Sequence, residues 1–185
     1  MLIDEFLPDY DIVEHHAIDV DAPVEEAYRA VKELDLARSP VVLALLFARG
    51  SPRLFTGAVK PKRQLRLDDV IESGFVVLGE EPDRELVLGI VGKFWQLSSG
   101  VHRIEPGEFS AFDTPGFAKG AWNFIVSARP AGGSRVETET RVACTDDDAR
   151  RKFSGYWWLI GRFSALIRRV MLRNIKRDAE TAKVA

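Results

Sequence analysis

The sequence holds a single cysteine, Cys144, in 185 residues. One thiol cannot close an intramolecular disulfide, and it excludes the cysteine-rich zinc modules. Histidine is nearly as scarce: His15, His16 and His102 are the whole set. They are too few and too scattered for the roughly four ligands that zinc takes, so no metal site is expected. The chain contains no GxxxxGK[ST], GxGxxG, GxSxG or HExxH pattern. It therefore lacks the common nucleotide-binding loops, the nucleophile elbow and the helical zinc motif, and no cofactor is implied. Long apolar runs are missing too. The densest, Val41 to Phe47, spans seven residues, against about twenty for a membrane span. Met1 to Phe6 has neither the basic region nor the apolar stretch of a signal peptide. A soluble cytoplasmic protein without a transmembrane segment is the expectation.

What is present is ample apolar material, 46% of residues, with 29% charged. That composition suits one folded domain over residues 1–185. The formal net charge of −2 argues against a basic nucleic-acid binder, and no nucleic-acid partner is expected. The charge is nevertheless segregated. Residues 1–35 carry eleven acidic and two basic side chains, whereas residues 149–177 carry nine basic ones and no acid.

Hydrophobic periodicity sets the expected elements. Residues 10–21 alternate, with Ile12, Glu14, His16, Ile18 and Val20 on one face of a strand and Val13, His15, Ala17 and Asp19 on the other. Asp21 and Pro23 open a helix with Ala27, Ala30, Val31 and Leu34 as its stripe, and Asp21 is a suitable cap. Ser39-Pro40 starts a second short helix that Gly50 stops, and residues 51–70 read as a basic loop with a helical turn near Asp68–Glu72. Residues 74–80 and 85–95 predict a hairpin around Glu81-Pro82-Asp83-Arg84. A connector over 104–116 follows, then long strands over 117–129 and 134–145. The second places Val136, Thr138, Thr140, Val142 and Cys144 on one face, opposite Arg135, Glu137, Glu139, Arg141 and Ala143. Asp146-Asp147-Asp148 caps a long helix over about 147–180, with Phe153, Trp157, Ile160, Ser164, Ile167, Met171 and Ile175 at spacings of three and four. The order predicts an α+β domain of the helix-grip type: a curved antiparallel sheet wrapped around a long C-terminal helix, with two short helices after the first strand.

That element order, together with Leu88-Gly89-Ile90-Val91-Gly92-Lys93-Phe94-Trp95, Ala121-Trp122-Asn123-Phe124, Thr138-Glu139-Thr140-Arg141-Val142 and Tyr156-Trp157-Trp158-Leu159-Ile160, resembles the START/polyketide-cyclase-like superfamily. This superfamily is also called SRPBCC and includes the birch-pollen-allergen proteins. The segments look like an actinobacterial-type branch of unknown function. The resemblance implies an internal apolar cavity between sheet and long helix, a hydrophobic ligand such as a lipid or polyketide, and, in some members, cyclase or aromatase activity.

Trp95, Trp122, Phe124 and Trp157 either wall such a cavity or fill the core, since an apolar pocket is cut into core residues. Thr138 and Thr140 add hydroxyls on the same face. Glu14 and His16, on the apolar face of the first strand, could act as an acid–base pair in a cyclase or hydratase, or could simply reach solvent at an edge. His102 and Arg103 are placed on a surface loop that could meet an anion. Cys144 reads as an inert buried thiol. The basic helix, with Tyr156, Trp157, Trp158 and Phe163, could touch an anionic membrane or a partner, although neutralisation by the acidic N-terminal segment is the reading favoured by the near-neutral chain. No oligomeric state follows from the sequence.

Overall fold

Antiparallel strand pairing organises the chain in the computed structural model, which describes residues 1–35, 71, 74–96 and 100–182. A short helix α1 (Ile3–Phe6) precedes strand β1 (Ile12–Val20) and helix α2 (Val24–Lys32). Strands β2 (Val76–Glu81), β3 (Glu85–Gly92) and β4 (Val101–His102) follow, then a 3-10 turn (Pro106–Glu108), strands β5 (Ala118–Ala128) and β6 (Ser134–Cys144), and helix α3 (Asp147–Ala182). The expected second short helix at 39–50, the loop at 51–70 and the turn near 68–72 lie outside the described residues, apart from Ile71.

The sheet order is β1-β6-β5-β3-β2, with β4 also paired to β3. Tight turns connect the central pairs. Gly132 and Gly133 close the β5–β6 hairpin at φ of 90° and 75°, a region costly for other residues. A Cβ on Gly133 would also lie 2.4 Å from the Val20 carbonyl oxygen. The result is the α+β helix-grip arrangement expected from the element order: an open, curved antiparallel sheet gripping one long helix.

The register separates two faces. Glu14 pairs with Thr140, Thr140 with Trp122 and Trp122 with Leu88, so these four form one row on the concave side. His16, Thr138, Phe124 and Leu86 form the next row. Helices α2 and α3 cover this side through Ala27, Tyr28, Val31, Met171, Leu172 and Ile175.

The other face departs from the alternation. Glu139 and Arg141 stand on the polar parity of β6, yet both are buried, as are Glu85 and Asn123 on the same face of the sheet. Helix α1 and Phe109 cover them, packing Ile3 and Leu7 on Val87, Val91 and Ala121. A four-residue helix carries no readable period, so α1 itself was not foreseen. The buried acid is satisfied: Glu85 accepts hydrogen bonds from the N–H groups of Leu2 (2.8 Å) and Ile3 (3.2 Å) and from the Asn123 amide (2.8 Å). Arg141 is bound by Glu139 and Asp4 and donates to the Leu7 carbonyl.

Three smaller expectations are corrected. Pro23 takes the cap position of α2 without a side-chain bond, and Asp21 faces Arg129 instead. Strand β3 ends at Gly92, leaving Trp95 in the following turn. His102 belongs to β4, where its ring meets Phe112 and Phe117.

Removing Glu85 leaves two backbone N–H groups and the Asn123 amide buried without an acceptor. Glu85→Ala is expected to lower unfolding free energy by about 3 kcal/mol, whereas Glu81→Ala, on the same hairpin, changes it little. Urea titration of both variants measures the difference.

Candidate functional site

Helix α3 touches the concave sheet at two places. Near its start, Phe153 packs with Ala118 and Val142, joined by Phe94, Trp95, Tyr156 and Trp157. Asp146 fixes this end, accepting from the Ala149 N–H (2.7 Å) and the Gly116 N–H (2.6 Å), the expected cap. Near its end, Met171, Leu172, Ile175 and Ala179 join the larger cluster around Trp122, Phe124 and α2.

Between these anchors the packing loosens. Trp157, Ile160, Ser164 and Ile167 lie on the sheet-facing stripe of α3, yet each is only half-buried. Opposite them stand Glu14, Thr140 and Ile90, also half-buried. Inward-facing residues that retain exposure mark a hollow between helix and sheet.

The hollow carries polar atoms without partners. Glu14 Oε2, Thr140 Oγ1 and Arg168 Nε are occluded from solvent and have no hydrogen-bond partner among the described residues. Buried polar groups are normally paired, and leaving one unpaired costs about 1–3 kcal/mol. Here three lie close together, two on one sheet row and one on the helix above it. The other oxygen of Glu14 contacts His16 Nε2 at 3.0 Å, and both side chains are 15% exposed. Arg168 lies over the Trp122 ring, 4.8 Å from its centroid. Burial pulls the Arg168 guanidinium down to about 10, against the opposing pull of the Glu14 charge.

The structure thus distributes the sequence candidates. Glu14, His16, Thr140 and Trp122 adjoin the hollow. Thr138 supports it: its hydroxyl accepts from Trp122 Nε1 (2.7 Å) and donates to the Asn123 carbonyl (2.7 Å), fixing the indole. Phe124 is 2% exposed and packs behind Trp122. Trp95 and Trp157 belong to the opposite anchor, where Trp157 stacks on Phe153. Arg168 was missed as a site residue because it reads as one more cation of a basic helix. The available signal was its place four residues after Ser164 and four before Leu172, on the inward stripe.

Among the described residues, no group of three or more His, Cys, Asp or Glu could hold a metal ion, and no helix is long and apolar enough to cross a membrane.

No family model and no curated protein matches the chain. Solved structures do match it. TTHA0849 from Thermus thermophilus is 12% identical with a TM-score of 0.37, covering 92% of this chain and 99% of that one. MLL2253 from Mesorhizobium loti is 14% identical with a TM-score of 0.34, covering 88% and 98%. DR_A0006 from Deinococcus radiodurans is 10% identical with a TM-score of 0.34, covering 79% and 94%.

Cys144 lies beside the first anchor, its backbone N–H donating to Asp11 Oδ2 at 2.7 Å. Burial, reinforced by the Asp11 charge, pushes its thiol up to about 12. Near pH 8, dithionitrobenzoate should therefore modify the folded protein at least about a hundredfold more slowly than the unfolded chain. The unfolded thiol ionises near 9 and the folded one near 12. The folded state holds this proton longer, so the Cys144 contribution to stability falls as pH rises above about 9. Comparing wild type with Cys144→Ala in alkaline urea titrations isolates that contribution.

Proposed function

We propose that the protein is a ligand-binding helix-grip domain of the START/SRPBCC kind, holding a mostly apolar small molecule between the sheet and α3. The observation that carries this reading is the set of three occluded, partnerless polar atoms where the inward stripe of α3 faces the sheet. A ligand there would rest its apolar body against Ile160, Ile167 and Trp122. Its polar end would carry an acceptor for Arg168 Nε and a donor for Glu14 Oε2, with Thr140 able to serve either. A hydroxyl beside a carbonyl, as in polyketides and hydroxylated lipids, meets that requirement. A pure hydrocarbon would leave the three atoms unpaired.

The Glu14–His16 contact supports a second reading. The two side chains form a hydrogen-bonded carboxylate–imidazole pair at the hollow. Such a pair can take a proton from a bound hydroxyl or enolisable carbon and return one elsewhere, the proton transfers that cyclisation and dehydration need. Chemistry of this type would appear as a different mass for the molecule extracted from Glu14→Gln protein than from wild type.

Native mass spectrometry of purified protein, with displacement of a fluorescent fatty acid, tests the main reading. Wild type is expected to take up the probe, and Arg168→Met to weaken it about tenfold, the loss of one hydrogen bond from a charged donor. Arg168→Met should keep its melting temperature within a few degrees, because it also removes a desolvated charge. Absence of uptake by folded wild type, or equal uptake by folded Arg168→Met, would overturn the reading.

A further inference from the structure

The outer face of α3 is apolar where solvent-facing helices are normally polar. Trp158 is 83% exposed, Leu159 60%, Phe163 45% and Leu166 41%. At 100° per residue these four fall within one sector, directly opposite the stripe of Phe153, Met171 and Ile175 that meets the sheet. Isolated exposed apolar residues are ordinary, but four large ones within nine residues of one helix face form a patch.

The cations around this patch differ from the rest of the helix. Arg150 is paired with Asp11 and Asp147, Arg151 and Lys152 with Asp148, Lys176 with Glu180, and Arg177 with Asp178. Acidic neutralisation thus reaches the two ends of the helix, and from the N-terminal segment it engages Arg150 through Asp11 and, by proximity, Arg168 through Glu14. Arg162, Arg169 and Arg173 are exposed and share the sector of Trp158 and Leu166. Among the described residues they form no ion pair, and residues 149–177 contain no acid that could provide one along the helix.

We propose that this face docks on an anionic lipid bilayer. Trp158, Leu159, Phe163 and Leu166 would enter the boundary between headgroups and acyl chains, and Arg162, Arg169 and Arg173 would meet lipid phosphates and carboxylates. Charge complementarity selects this occupant. A second copy of the chain would bring the three arginines against their own equivalents with no acid between them. A nucleic acid would satisfy the arginines but leave the aliphatic side chains without a partner. An anionic bilayer satisfies both, because it offers negative charge at its surface and hydrocarbon beneath. Trp158, the most exposed of the set, is of the residue type that settles at headgroup level. The patch faces away from the hollow, so the proposal does not depend on the ligand reading.

Flotation of the full-length protein with vesicles tests it. Vesicles of phosphatidylcholine containing about a third phosphatidylserine should carry the protein upward, and pure phosphatidylcholine should not. Raising salt from about 0.05 to 0.5 M should release most of it. Each of Arg162→Gln, Arg169→Gln and Arg173→Gln is expected to weaken binding about fivefold. Trp158→Ser combined with Phe163→Ser should abolish it. All five positions are solvent-facing, so circular dichroism should show an unchanged fold. Four results would overturn the proposal: no flotation of wild type, equal flotation with both vesicle types, binding unchanged in the folded Trp158→Ser/Phe163→Ser protein, or sedimentation showing that Trp158 is instead covered in a dimer. Tighter binding to a DNA duplex than to the anionic vesicles, insensitive to the Trp158 and Phe163 changes, would likewise count against it.

Discussion

The arrangement rests on one long helix being secured to the sheet at its two ends. Helix α3 has 36 residues, roughly 54 Å at 1.5 Å per residue. The longest strands have 11 residues, roughly 36 Å. A helix that outreaches a curved sheet cannot follow its surface throughout, so it packs closely where the surfaces converge. Phe153 supplies one contact, Met171 to Ala179 the other. The candidate site lies in the interval between them, where inward-facing side chains keep partial exposure.

That interval also explains how an arginine comes to be occluded. The turn bearing Arg168 lies just before the second anchor, above the Trp122 ring. Glu14 comes from β1 at the sheet edge, and Thr140 joins it through the register. Opposite charges within a poorly solvated space offset part of one another's desolvation, but their leftover hydrogen-bonding capacity remains. Trp122 is held in turn by Thr138, which is tied to the Asn123 carbonyl, and Asn123 reaches the buried Glu85 on the other face. The concave hollow and the cover provided by α1 are therefore connected through a single strand.

Much of this was legible beforehand. Period-two alternation located β1 and β6, and the spacing of Phe153, Trp157, Ile160, Ser164, Ile167, Met171 and Ile175 located α3 and its inward stripe. Inward placement of Thr138 and Thr140 followed from parity, because a strand admits only two faces, whereas parity left Glu14 and His16 open between the interior and a solvent-facing edge. Parity did not reveal the burial on the convex side, where the charged Glu139 and Arg141 lie inside. A short helix from the other end of the chain covers them, packing Ile3 on the sheet and setting Asp4 against Arg141, and no local pattern announces such a contact. The hollow itself was equally unreadable: packed and unpacked interiors use the same residues.

By itself, then, the sequence determined the order of elements, the two faces of each strand and the stripe of the long helix, since these depend on backbone periods of two and 3.6 residues. It also determined that positive charge would gather on that helix. Only the tertiary structure decided which of those charges would be buried, paired or left facing solvent. Arg168 turned inward over Trp122, Arg150 met Asp11 just before the first strand, and Arg162, Arg169 and Arg173 remained outside beside Trp158. The physical reason is that charge at a residue is set by chemistry, whereas its solvation is set by what the rest of the chain places against it.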